Sequence, residues 1–87
     1  MPKKLIFEEQ GWLDYVFWQE CDKKMTQRIN KLIENILRSP YEGLGKPEAL
    51  KHGLQGFWSR RIDEKNRLVY RVLDDQIQIV QCRAHYD

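Results

Sequence analysis

The spacing of the apolar residues changes once along this chain, and that change constrains what it can fold into. After Asp22, residues Met25, Ile29, Leu32, Ile33, Ile36 and Leu37 recur at helical three- and four-residue intervals, with Arg28, Lys31, Glu34 and Arg38 outside the stripe. After Gly56 the pattern alternates instead. GFWSRRI (56–62), RLVYRVL (67–73) and IQIVQCRA (77–84) read as strands rich in Ile, Val, Tyr and Trp. Between the two regimes lies SPYEGLGKPE, a loop by its proline and glycine content.

The remaining elements follow from local signals. Residues 3–7 read as a short strand. Glu8 and Glu9 then open a helix at the end where acids suit its dipole. It runs to about Cys21, with Trp12, Leu13, Tyr15, Val16 and Phe17 predicted as a broad apolar face. Asp22 is a predicted N-cap for the second helix, and Pro40 stops it. DEKN and DDQ are turn-like, so the three later strands form an antiparallel meander. The order β-α-α-loop-β-β-β predicts an α+β fold with two helices on one face of a mainly antiparallel sheet.

At 87 residues the chain is one domain, 1–87, too short for a second core or a deep enclosed site. Its longest apolar runs fall far short of the roughly 20 residues that span a bilayer. In MPKKLIFEEQ acids follow Phe7 at once, so no signal peptide is read there, and a cytoplasmic location with no membrane contact is expected. Cys21 and Cys82 each sit in an apolar pattern and are expected to be buried free thiols. Together with His52 and His85 they lack zinc-like spacing, so neither a metal nor any other cofactor is expected.

Charge is unevenly spread. Residues 1–45 balance seven Lys/Arg against seven Asp/Glu. Residues 46–71 carry Lys46, Lys51, Arg60, Arg61, Lys65, Arg67 and Arg71 against Glu48, Asp63 and Glu64, a net of +4. This is either a solvated strand face or a footprint for a polyanion, and composition alone does not separate the two.

Strand parity sharpens the picture. Leu68, Tyr70 and Val72 form the helix-facing side of 67–73, leaving Arg67, Val69 and Arg71 opposite. In the last strand Val80, Cys82 and Ala84 are predicted inward, with Gln81, Arg83 and His85 outward. Ile62 is predicted inward and Arg61 outward. The helix-free face thus collects Arg61, Arg67, Arg83 and His85, with Glu48 and Lys51 in the approach to the first of these strands. Clustered guanidinium groups repel one another and call for an anion. Nearby aromatics suit single-stranded nucleic acid better than a duplex. RNA carries its own nucleophile, the 2′-hydroxyl. A base, cations for the phosphorane charge and an acid for the departing 5′-oxygen then suffice, and Glu, Arg/Lys and His supply them.

LKHGLQGFWSRRIDEKNRLVY (50–70), the CRAHYD that ends the chain, KLIFEEQGWLDYVFWQECDKK and SPYEGLGKPEALKH together resemble the YoeB branch of the RelE-like toxins of bacterial toxin–antitoxin systems. The likeness runs over nearly the whole chain. It implies a RelE/YoeB-like microbial ribonuclease-type fold. The implied activity is that of a ribosome-dependent endoribonuclease, an mRNA interferase that cuts mRNA in the decoding site and is silenced by a YefM-type antitoxin. It also admits a homodimer, which nothing in the residues fixes.

Carried over position by position, the resemblance assigns Glu48 in GKPE as general base, Arg67 in NRLVY as the transition-state arginine and His85 as general acid. Tyr86 would position the substrate, and Lys51 and Arg61 would be supporting cations. Parity by itself does not prefer Arg67 over Arg83, and Lys46, Arg60 and Arg83 are neighbours able to share the electrostatic work. Three positions depart from the family pattern. Ala49 stands where a second proline is common, Asn66 where histidine is common, and Asp87 adds a carboxylate beyond Tyr86.

Two other functions fit the scaffold. One is a ParE-like gyrase poison, whose relatives lack the Glu/Arg/His set. The other is an RNA- or ribosome-binding module without catalysis. In all cases a cationic face beside a sheet edge invites an acidic, partly disordered segment to lie across it as inhibitor.

Overall fold

A computed structural model describes residues 4–54 and 56–84. His85, Tyr86 and Asp87 lie outside the described residues. Among the described residues the chain forms β1 (Lys4–Phe7), α1 (Glu9–Cys21), α2 (Lys23–Arg38), β2 (Glu48–Ala49), β3 (Phe57–Arg61), β4 (Arg67–Leu73) and β5 (Gln76–Gln81). The strands make one sheet in the order β1-β5-β4-β3-β2, with β1 parallel to β5 and every other pair antiparallel. The α+β architecture and the meander are as predicted. β2, two residues long, was not foreseen. No helix among the described residues is long and apolar enough to cross a membrane.

α2 follows its periodicity. The Asp22 carboxylate accepts from the Met25 amide at 3.2 Å, capping the helix, and Ile29, Leu32, Ile33 and Ile36 are buried. They meet Ile62, Leu68, Tyr70, Ile77, Ile79 and Cys82 from the sheet in a single core.

α1 departs from the expected apolar face. Trp12 and Leu13 are 50% and 53% exposed, whereas Gly11 and Asp14 are buried. The cause is the close approach of α1 to β5. A Cβ added at Gly11 would overlap the Ile79 carbonyl oxygen, so only glycine fits there. One turn on, the Asp14 carboxylate accepts the Cys82 amide at 3.0 Å and the Gln10 side chain at 2.8 Å. It thus partners a backbone N–H just beyond the end of β5. Gly11→Ala is expected to lower unfolding free energy by about 2 kcal/mol: the overpacking penalty exceeds the roughly 1 kcal/mol that alanine gains in helix propensity. Urea denaturation reads it out, and an unchanged or raised midpoint would show that α1 can retreat from β5 at no cost.

The last strand needs a second correction. Tyr70 pairs with Ile79 but Val69 pairs with Gln81, so Val80 is an extra residue in a β-bulge. The bulge resets parity. Ile77 and Ile79 face the helices before it and Cys82 after it, all fully buried, while Val80 is not in the core and Ala84 is exposed. Cys82 is a buried free thiol as expected, its pKa pushed up to about 12 by burial and by the neighbouring Asp14 charge. Cys21, at the exposed end of α1, is free but not buried.

Candidate functional site

The site is framed by the loop between α2 and β2. Arg60, one residue from the charged face, is fully buried. Its guanidinium donates to the carbonyls of Ser39 (2.6 Å), Leu44 (3.0 Å) and Glu42 (3.1 Å), to the Asn35 carboxamide and to the Tyr70 hydroxyl (3.1 Å). The Tyr70 hydroxyl in turn donates to the Pro40 carbonyl at 2.6 Å, and burial raises its pKa against the pull of Arg60. A cation beside the C-terminal carbonyls of α2 is also favoured by the helix dipole. Arg60 is therefore a fastening for residues 39–44, not one of the cations available to a ligand.

Gly45 completes the fastening, its carbonyl accepting the Arg61 amide at 2.7 Å. At φ +80, with Leu32 Cδ2 and the Arg61 carbonyl at about the limit of approach, it is a position for glycine alone. The chain leaves this loop through Lys46 and Pro47 into β2, which lays Glu48 opposite Ser59.

Register then defines the face. Glu48, Ser59, Val69 and Gln81 stand in one row across four strands, and directly paired residues share a side of the sheet. Arg61 pairs with Arg67 two residues along the strands, on the same side and roughly 7 Å from that row. Glu48, Arg61 and Arg67 thus share one face, the one opposite the helices. Two arginines placed opposite each other repel. Arg28 on α2 holds the end of β3 from behind, donating to the carbonyls of Ile62 (3.3 Å) and Arg61 (3.1 Å).

Arg67 is partly buried and its Nη1 donates to the carbonyls of Asp63 (2.9 Å), Glu64 (3.3 Å) and Asn66 (3.4 Å). Among the described residues its side-chain hydrogen bonds run through Nη1. Burial pushes the Asp63 carboxyl upward. The amides of Asn66 and Lys65, the Asn66 side chain and the Arg67 charge outweigh that and hold it below the usual value.

The structure does not bring Arg83 to this face. Its guanidinium stacks 3.6 Å from the centre of the Phe17 ring on α1, so the parity expectation for Arg83 fails: β5 ends at Gln81 and strand alternation does not govern the residues beyond it. Lys51 is exposed in the segment between β2 and β3, next to His52. His85 and Tyr86 are outside the described residues. Among the described residues no group of His, Cys, Asp and Glu is placed to hold a metal ion.

Sequence reasoning missed the backbone around these residues. Among the described residues three non-glycine residues have positive φ, Lys46 (52°), His52 (60°) and Ala84 (69°). They bracket Glu48 and Lys51 and immediately precede His85. Strained backbone of this kind persists where surrounding contacts hold it, and it clusters at functional sites. It also missed the part played by Asn66, although the Asp63-to-Asn66 spacing was a readable signal for a side-chain-closed turn.

Known proteins match both the sequence and the fold. A family model described as a YoeB-like toxin of bacterial type II toxin–antitoxin systems matches residues 7–86. The toxin YoeB of Escherichia coli (strain K12) is 58% identical over 83 residues, covering 95% of this chain and 99% of that protein. Among solved structures, the YoeB dimer from Staphylococcus aureus superposes with a TM-score of 0.92 at 45% identity, covering 99% of this chain and 100% of that one. The toxin chain in the YoeB–YefM complex from Staphylococcus aureus gives 0.88 at 44% identity with the same coverage. The fold, the register that gathers Glu48, Arg61 and Arg67, and near-complete matches at this identity lead to one assignment: the chain belongs to the YoeB-like toxins of bacterial type II toxin–antitoxin systems.

Proposed function

We propose that this toxin is an endoribonuclease that cuts mRNA in the decoding site of the ribosome. The observation that carries the reading is the shared face of Glu48, Arg61 and Arg67. Glu48 takes the proton of a 2′-hydroxyl, whose oxygen attacks the adjacent phosphorus. Arg67, with Arg61 and Lys51, stabilises the charge that develops on the phosphoryl oxygens. The bond from phosphorus to the 5′-oxygen breaks, and His85 protonates that oxygen while Tyr86 positions the nucleotide. The products are a 2′,3′-cyclic phosphate and a 5′-hydroxyl. No step in this scheme calls for a metal.

Glu48 and Arg61 are exposed, so the protein does little to align a flexible RNA by itself. The ribosome supplies the in-line geometry, the contribution that proximity makes largest. A YefM-type antitoxin, of the kind seen with the Staphylococcus aureus relative, inhibits by placing an acidic segment over Arg61 and Arg67.

The test is toeprinting of an mRNA on programmed ribosomes with the wild-type protein and with His85→Ala. A cut inside the decoding-site codon, absent on naked RNA and lost in the variant, is the expected result. Identical toeprints with and without the wild-type protein would overturn the reading and bring forward a gyrase poison or a binding module.

A further inference from the structure

Asn66 and Arg67, neighbours at the start of β4, hold Ala84 by both of its backbone groups. The Asn66 Oδ1 accepts the Ala84 amide at 2.6 Å, and the Arg67 amide donates to the Ala84 carbonyl at 3.1 Å. The carboxamide is set from behind. Its Nδ2 donates to the Asp63 carboxylate at 3.2 and 3.4 Å, which leaves Oδ1 for Ala84. Asp63 is itself fixed, accepting the amides of Lys65 at 2.9 Å and Asn66 at 2.7 Å. Ala84 lies beyond the end of β5, is exposed, and has a φ of 69°. Alanine rarely adopts that left-handed conformation without contacts that impose it.

We infer that Asn66 is a positioning residue: the acceptor it offers Ala84 fixes where and in what direction the chain enters His85, and keys that entry to Arg67. This rests on the ribonuclease reading above, in which Arg67 meets the phosphate and His85 protonates the leaving oxygen. The two groups act on different oxygens of one phosphate, so their mutual placement matters more than either one's affinity for RNA. A chain end held only through its neighbours in sequence would not keep that placement. The clip at Ala84 supplies a direct link, in two hydrogen bonds, between β4 and the residue before the acid.

The experiment compares wild type, Asn66→Leu and Asn66→His in single-turnover cleavage on programmed ribosomes, with amide hydrogen exchange at Ala84 followed by NMR. Leucine keeps the volume and removes the acceptor. Histidine returns an acceptor, Nδ1, at about the place of Oδ1. The expected result is a cleavage rate at saturating ribosome lowered roughly 10- to 100-fold in Asn66→Leu, with the half-saturating concentration unchanged and the rate largely restored in Asn66→His. Ala84 exchange should be slow in wild type and Asn66→His and fast in Asn66→Leu. Wild-type cleavage matched by Asn66→Leu would overturn the inference and leave the ribonuclease reading standing. An inactive wild type would overturn both. If Asn66→Leu does not fold, Asn66→Ser, too short to reach Ala84, takes its place. Unprotected Ala84 in the wild type would overturn the inference without any variant.

Discussion

Glu48→Gln is expected to slow cleavage of ribosome-bound mRNA by roughly 10²–10⁴-fold, the usual worth of a positioned general base. Glutamine has the same shape and keeps one accepting oxygen, but it does not take up the 2′-hydroxyl proton. Glu48 is exposed on a two-residue strand that its backbone pairing with Ser59 keeps in place, so the substitution leaves the frame alone. Stability should change by less than about 0.5 kcal/mol, as at most surface positions. Ribosome affinity should persist, because the cationic side chains of the face are untouched. The measurement is a quench-flow single-turnover rate beside a binding isotherm for the same protein. A full rate in the variant would move the base to another residue, and a parallel loss of binding would make Glu48 a docking contact.

Arg60→Leu should have the largest effect on folding. The change removes a donor from five acceptors at once, those of Asn35, Ser39, Glu42, Leu44 and Tyr70, in a fully buried position. Each buried group left without a partner costs about 1–3 kcal/mol. With some rescue by water at the loop, a net loss of about 3–5 kcal/mol is expected. That is a large share of the roughly 5–15 kcal/mol available to a domain. Equilibrium urea unfolding should show a much lower midpoint, and Arg60→Lys should fall in between, since an ammonium cannot match the fork of five donors. A wild-type midpoint in Arg60→Leu would show that the loop before Glu48 is held by its backbone alone.

The comparison of Arg60 with Arg61 shows what the sequence discloses. Adjacent in the chain and identical in type, they are indistinguishable by composition or local charge. Strand parity separates them, because placing Ile62 inward places Arg60 inward too, although position alone also leaves Arg60 among the neighbours able to share the electrostatic work. α2 and the meander were legible because their periods are long and unbroken. The inner face of α1 was not, since its key contact is the absence of a side chain at Gly11 and the partner of Asp14 is a backbone amide far along the chain. The bulge at Val80 leaves no compositional mark and misdirected Val80, while Arg83 and Ala84 were misplaced because β5 ends at Gln81. Arg61 and Arg67 came into view because parity and family likeness, which rest on different features, picked overlapping positions, whereas Glu48 was singled out by the likeness. β2, which carries Glu48, is too short to show any period at all.

Among the described residues the acceptors around Arg60 are carbonyls, a carboxamide and a phenol, with no carboxylate among them. Dissolved ions therefore have little purchase on the fastening that shapes the site, while every charge on the open face lies within their reach. Ionic strength should act as a selective reagent on this toxin. Raising it would loosen the grip on RNA, ribosome or an acidic inhibitor by competing for Arg61 and Arg67, and leave the loop before Glu48 in place. A salt-dissociated toxin should therefore come away already shaped for its next encounter, with no refolding step between release and action.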